Sequence, residues 1–179
     1  MIYVFLANGF EEIEAMSVID ILRRADLEVT TVGVGGSEII GAHGVKVVAD
    51  LPADEADFID VDLMVLPGGQ PGADNLTESA DVQRCIDLCL EYNVPMAAIC
   101  AAPMVFGRKG LLDGKKATCY PGCEGGMGQA QVTGKEVEID GLFITSKGPA
   151  TAQMFAFTLV GLMVGREKVD EICKGMLYC

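Results

Sequence analysis

Basic side chains are scarce in this chain. Lys and Arg number 13 against 26 Asp and Glu, giving a net charge of −13 and a pI near 4.3. Such a surface repels phosphate backbones and anionic lipid headgroups, so neither a nucleic-acid partner nor a membrane partner is predicted. Long apolar runs are missing too. The longest tract, 154–164, falls well short of the ~18 residues a membrane span requires. No basic segment precedes the apolar Met1-Ile2-Tyr3-Val4-Phe5-Leu6, and Glu11 and Glu12 follow soon after. That stretch reads as a first strand, not a secretory signal, and the cytoplasm is the expected location. Seven cysteines are present, but the C-x2-C spacing of thiolate metal sites is not. Cys85 and Cys89 fall on one apolar stripe with Val82, Ile86 and Leu90, as small core residues do. No metal site and no cofactor is predicted, and in a reducing compartment the cysteines are thiols. Gly68-Gly69 lacks the lysine and serine of a phosphate-binding loop. Repeats, low-complexity segments and linkers are absent as well. With 50% hydrophobic and 22% charged residues, the 179-residue chain makes a single domain over 1–179.

What is present is alternation. Strands are predicted over 1–6, 28–34, 63–66 and 96–99. Helices follow from about 10 or 11 to 25, from a Thr77 or Ser79 cap to 92, and from 101 onward. Two short strands, 38–40 and 45–49, flank the Gly41-Ala42-His43-Gly44 loop. Further strands are expected at 116–119 and at 137–140 and 142–146 around the turn signal Asp140-Gly141. A glycine-rich loop spans 120–129. A helix over 151–164, apolar nearly all round, is expected to be buried, and a last helix covers 167–176. The order predicts an α/β fold with a mostly parallel sheet and helices on both faces. Ligands in such folds bind beyond the carboxyl ends of the strands.

Three features lie just past predicted strand ends. Cys100 follows the apolar run Met96–Ile99, with Ala98 two residues before it and Ala102 two residues after. Small residues at those places allow a nucleophile to sit on a sharp strand-to-helix turn. A helix beginning there favours the reactive thiolate. Glu14 lies on the stripe of Val18, Ile21, Leu22 and Ala25, one turn upstream, so it points inward where a nucleophile needs an acid or base. Gly68 and Gly69 follow strand 63–66 and free backbone N–H groups to face a ligand. His43, the single histidine, sits on a glycine-flanked loop where surface residues are common. The elbow alone permits any α/β nucleophile, a Cys-His hydrolase included.

Four segments taken together are more specific: Ala7-Asn8-Gly9-Phe10-Glu11-Glu12-Ile13-Glu14, Val65-Leu66-Pro67-Gly68-Gly69, Ala97-Ala98-Ile99-Cys100-Ala101-Ala102-Pro103 and Thr145-Ser146-Lys147-Gly148-Pro149. In this order they resemble the ThiJ/PfpI superfamily, and within it the DJ-one branch, over nearly the whole chain. The resemblance implies a flavodoxin-like three-layer sandwich with a cysteine nucleophile elbow, and a homodimer. It implies a reactive Cys100 hydrogen-bonded to a protonated Glu14, with the backbone N–H groups of Gly69 and Ala101 as oxyanion donors. Gly68, Gly148 and Pro149 would line the site. Tyr120 stands where the branch often has a loop histidine. His43 lies in the loop that approaches the partner's active site in such dimers. Protease-like relatives carry a histidine directly after the nucleophile; here that residue is Ala101, which disfavours a cysteine peptidase. The activity implied is handling of reactive aldehydes, as a glutathione-independent glyoxalase or as a deglycase of methylglyoxal and glyoxal adducts. The substrate is then a small aldehyde or a glycated molecule. The alternative implied by the same resemblance is a redox sensor or holdase chaperone controlled by oxidation of Cys100.

Overall fold

The computed structural model describes residues 1–178. β1 (Ile2–Ala7) is buried along its whole length, as a strand covered on both faces must be. α1 (Glu12–Arg24) follows, then β2 (Val29–Val34), the hairpin strands β3 (Glu38–Ile40) and β4 (Lys46–Val48), the two-residue β5 (Leu51–Pro52) and β6 (Leu63–Leu66). α2 (Gly72–Glu78) and α3 (Ala80–Glu91) lead to β7 (Met96–Ile99) and α4 (Pro103–Arg108). β8 (Lys116–Ala117) and β9 (Gln131–Val132) pair with each other beside the main sheet. β10 (Val137–Asp140), β11 (Phe143–Ser146), α5 (Ala152–Val164) and α6 (Arg166–Gly175) complete the chain.

Seven strands form the central sheet in the order β10-β11-β7-β6-β1-β2-β5. All neighbours are parallel except β10, which returns antiparallel along β11 through the turn at Gly141. The chain steps one way from β1 to β2 and the other way from β6 to β7. Right-handed crossovers therefore place α1 on one face and α3 on the other. α5 packs on α1, with α6 behind it; α2 packs on β1, and α3 and α4 lie against β6 and β7. The result is the mostly parallel sheet with helices on both faces that the strand–helix alternation implied, in the flavodoxin-like three-layer form that the family resemblance implied. The winding reverses between β1 and β6, and the crevice for a ligand opens there, at the carboxyl ends of the strands.

Several boundaries differ from the sequence reading. Ser79 caps α3, its Oγ accepting from Val82 N–H at 3.4 Å, but a separate helix, α2, precedes it. The Gly-Ala-Asp-Asn-Leu-Thr-Glu sequence of α2 has little helix propensity, and only Gly72, Ala73 and Leu76 are buried. Packing on β1 and α4 holds it. The strand expected over 116–119 ends at Ala117. α5 is not buried all round: Met154, Leu162 and Val164 are 39%, 53% and 45% exposed. Its inner side covers α1 and β11 and α6 packs along part of it, which leaves these three residues in solvent.

Candidate active site

The elbow is built by a backbone that only a tight constraint sustains. Cys100 has φ +66, left-handed for a residue with a Cβ. Its N–H donates to Ser146 O of β11 at 2.9 Å, and its carbonyl accepts from Tyr120 N–H at 2.8 Å. Those two bonds hold the turn against the neighbouring strand and the loop beyond. Ala98, Ala101 and Ala102 around it are buried, so nothing bulky crowds the sulfur.

Glu14 reaches the same point from α1. It is fully buried, and its Oε2 accepts from Gly68 N–H at 2.8 Å. Its Oε1 has no hydrogen-bonding nitrogen or oxygen partner; the Cys100 thiol is the hydrogen-bonding group beside this carboxyl. Gly68 is where the two side chains and the β6 loop meet. A Cβ there would lie 2.6 Å from Cys100 Cβ, 2.8 Å from Glu14 Oε2 and 2.8 Å from Ile99 O. Gly69 adopts φ +89 and packs under the α1 entry, where Glu11 N–H donates to Gly68 O at 2.9 Å. That conformation turns its own N–H toward the Cys100 sulfur, which also receives the N–H of Ala101.

The electrostatics follow from burial. Loss of water pushes the Glu14 carboxyl up to about 7, against the hydrogen bonds from Gly68 and Cys100 that favour its charged form, and the Glu11 charge adds to the rise. Burial and then the Glu14 charge push the Cys100 thiol up to about 12, while the Gly69 and Ala101 amides pull it down. Burial therefore opposes the thiolate that a helix N-terminus was expected to favour. Cys100 is 8% exposed, and α4 has only six residues and starts three positions later, so its field is outweighed. The two groups titrate as a pair. The first proton leaves near 7 and the second near 12; between these the pair holds one proton and one negative charge. With the proton on the carboxyl, the sulfur is a thiolate hydrogen-bonded by Glu14, Gly69 and Ala101.

The other residues singled out in the sequence fall into two groups. Tyr120, Gly148 and Pro149 come together beside the elbow. The Tyr120 ring lies over Gly148, and with Pro121, Lys147 and Thr151 they line a pocket of about 230 Å³. His43 is occupied elsewhere. Its ring is exposed, with Nδ1 2.8 Å from Glu12 Oε2 and 3.6 Å from Glu11 Oε2. Glu12 Oε1 also accepts from the His43 and Val45 N–H groups at 2.7 and 3.4 Å, so the group clasps the β3–β4 loop onto α1. Glu11, Glu12 and His43 form the only group of three or more potential metal ligands among the described residues. The four cysteines 85, 89, 119 and 123 do not converge. Glu11 is the residue that the sequence reading passed over. It is buried, accepts weakly from Ile13 N–H at 3.4 Å as the α1 N-cap, and its charge reaches Glu14. Its place at the helix mouth was visible; its burial was not.

Comparison with known proteins agrees with this architecture. The model of the DJ-1/PfpI family matches residues 1–162. Protein DJ-1 homolog B of Arabidopsis thaliana is 41% identical over 98% of this chain, which spans only 41% of that protein's length. Protein dj-1beta of Drosophila melanogaster is 37% identical over 97% of this chain and 95% of its own. The crystal structure of Drosophila DJ-1beta superposes with a TM-score of 0.93 at 35% identity, covering 98% and 96% of the two chains. A Caenorhabditis elegans relative, 30% identical over 92% of this chain and 88% of its own, carries the name glutathione-independent glyoxalase. The chain belongs to the DJ-1/PfpI family.

Proposed function

We propose that this protein is a cysteine-dependent enzyme acting on small reactive aldehydes, a glutathione-independent glyoxalase or a deglycase of methylglyoxal and glyoxal adducts. The observation that carries the reading is the buried Cys100–Glu14 pair, which holds a single shared proton above about pH 7 with two backbone amides directed at its sulfur. The name of the nematode relative supports the substrate class. In the proposed reaction the Cys100 thiolate attacks the aldehyde carbon of methylglyoxal. As the C–S bond forms, the carbonyl electrons move to oxygen, where the Gly69 and Ala101 N–H groups receive them. The Glu14 carboxylic acid gives that oxygen its proton, forming a hemithioacetal. The Glu14 carboxylate then takes the C–H proton and returns it to the neighbouring carbon, while the hemithioacetal hydroxyl proton passes to the oxygen on that carbon. The resulting thioester is hydrolysed, so that methylglyoxal and one water yield lactate and the free thiol. Tyr120, Gly148 and Pro149 form the wall beside the acyl group. No cofactor takes part. The protein works as a cytoplasmic homodimer; Ile13 and Met16 on α1 and Met154 on α5, all partly exposed, offer apolar surface for the second copy. Among the described residues no helix is long and apolar enough to cross a membrane. Cys100→Ser assayed beside the wild type for methylglyoxal loss and lactate gain tests the proposal. Turnover should disappear, and undiminished turnover sinks the reading.

A second reading rests on the same pocket. A sulfinic acid on Cys100 would find the Glu14 carboxyl and two amides around its oxygens, as a redox sensor or oxidation-controlled holdase requires. Intact mass after mild peroxide, rising by roughly 32 Da at Cys100 alone with negligible aldehyde turnover, favours that reading.

A further inference from the structure

Two cysteines outside the elbow flank a tight turn. Tyr120 O accepts from Cys123 N–H at 2.9 Å, and Gly122 has φ +98. With Pro121 before that glycine, 120–123 is a type II turn. Cys119 directly precedes the first residue of this turn and Cys123 is its last, so one four-residue reversal carries both side chains, and the charge of Cys123 acts on Cys119. Cys123 is half-buried on the wall of an open cavity of about 650 Å³ shared with Gln70, Met104 and Arg108. Cys119 lies behind it, 3% exposed. A Cβ at Gly122 or Gly125 would meet nothing within 4 Å, so the turn has room to adjust. The other pair at the same spacing differs. Cys85 and Cys89 hydrogen-bond to each other on α3, but i, i+4 Cβ atoms on a helix stand about 5–6 Å apart, too far for the ~3.8 Å of a disulfide.

We propose that Cys119 and Cys123 form a reversible dithiol–disulfide couple, separate from Cys100, with a hydroperoxide as oxidant. The solvent-facing Cys123 thiol gives its sulfur electrons to the peroxide, becoming a sulfenic acid with loss of one water. Cys119 sulfur then attacks Cys123 sulfur, expelling a second water. Two thiols and one hydrogen peroxide thus give one S–S bond and two waters. The closed bond ties down the turn that carries Tyr120, whose N–H holds the Cys100 carbonyl and whose ring walls the 230 Å³ pocket. Burial and the Glu124 carboxylate push Cys119 up to about 11, and Cys123 is raised too; Asp74 adds to that rise while the Arg108 guanidinium opposes it. The thiolate is the attacking form at both sulfurs, so the couple closes faster as pH rises.

The test uses the full chain carrying Cys100→Ser, treated with hydrogen peroxide, alkylated, and read by intact mass and peptide mapping. The expected result is loss of about 2 Da before alkylation and two fewer alkyl groups after it, with peptides of Cys119 and Cys123 cross-linked and restored by dithiothreitol. Adding Cys123→Ser or Cys119→Ser abolishes the change. Oxygen addition at Cys123 without a cross-link overturns the proposal. So does a cross-link to any other cysteine, or no change at ten times the peroxide dose that converts Cys100 in the wild type. One equivalent of phenylarsine oxide, whose arsenic bridges two nearby thiols, should protect both residues from alkylation without any substitution. Failure to protect also overturns the couple.

Discussion

Glu14→Gln isolates the shared proton. In the wild type the Cys100–Glu14 pair gives up its first proton near 7 and its second near 12. Whichever of the two atoms holds the remaining proton, the fraction of pair that is singly ionised is complete about one unit above 7. The rate of alkylation of Cys100 by iodoacetamide should therefore rise about tenfold per pH unit below 7 and flatten above about 8. Replacing the carboxyl by an amide removes the only group of the pair that titrates near 7. The sulfur then ionises alone, raised by burial and lowered by the Gly69 and Ala101 amides from its ordinary value of 9.0. The break near 7 disappears, and the rate climbs by about another tenfold between pH 7 and 8, where the wild type changes by about twofold or less. Stopped-flow or mass-resolved alkylation at Cys100 reads both profiles. A wild-type-like break near 7 in Glu14→Gln refutes the pairing, because no other group in contact with the sulfur could produce it.

Two more predictions follow from burial and from packing. Glu14 titrates near 4.5 when exposed in the unfolded chain and near 7 when folded. The folded state binds the extra proton between these values, so its stabilisation is fully present below about 4.5, falls as pH rises, and is lost above about 7. The difference of 2.5 units corresponds to about 3 kcal/mol; the wild-type Tm relative to that of Glu14→Gln should drop between pH 5 and 8, and a flat difference contradicts the buried carboxyl. Gly68→Ala puts a methyl 2.6 Å from Cys100 Cβ and 2.8 Å from the Ile99 carbonyl. It should cost about 1–3 kcal/mol in urea unfolding and slow Cys100 alkylation by displacing Glu14; unchanged values for both rule out the close approach.

The layered sheet was legible because apolar runs such as Ile2–Ala7 and Met96–Ile99 carry no charged side chain and bury best when covered on both faces, whatever surrounds them. The elbow was legible because small residues flank Cys100, and Glu14 because an acid interrupts the α1 stripe. Local sequence did not show α2, whose weakly helical residues fold only where β1 and α4 cover them, or the exposure of Met154, Leu162 and Val164 on α5, which depends on how far α1 and α6 cover that helix. Nor could it fix the proton chemistry. The sequence predicted a thiolate stabilised by a helix end. The tertiary structure instead encloses Cys100 and Glu14 together away from water, and desolvation is a property of the assembled core that no segment of chain possesses alone. That enclosure makes the two side chains one titrating unit with a single proton between them.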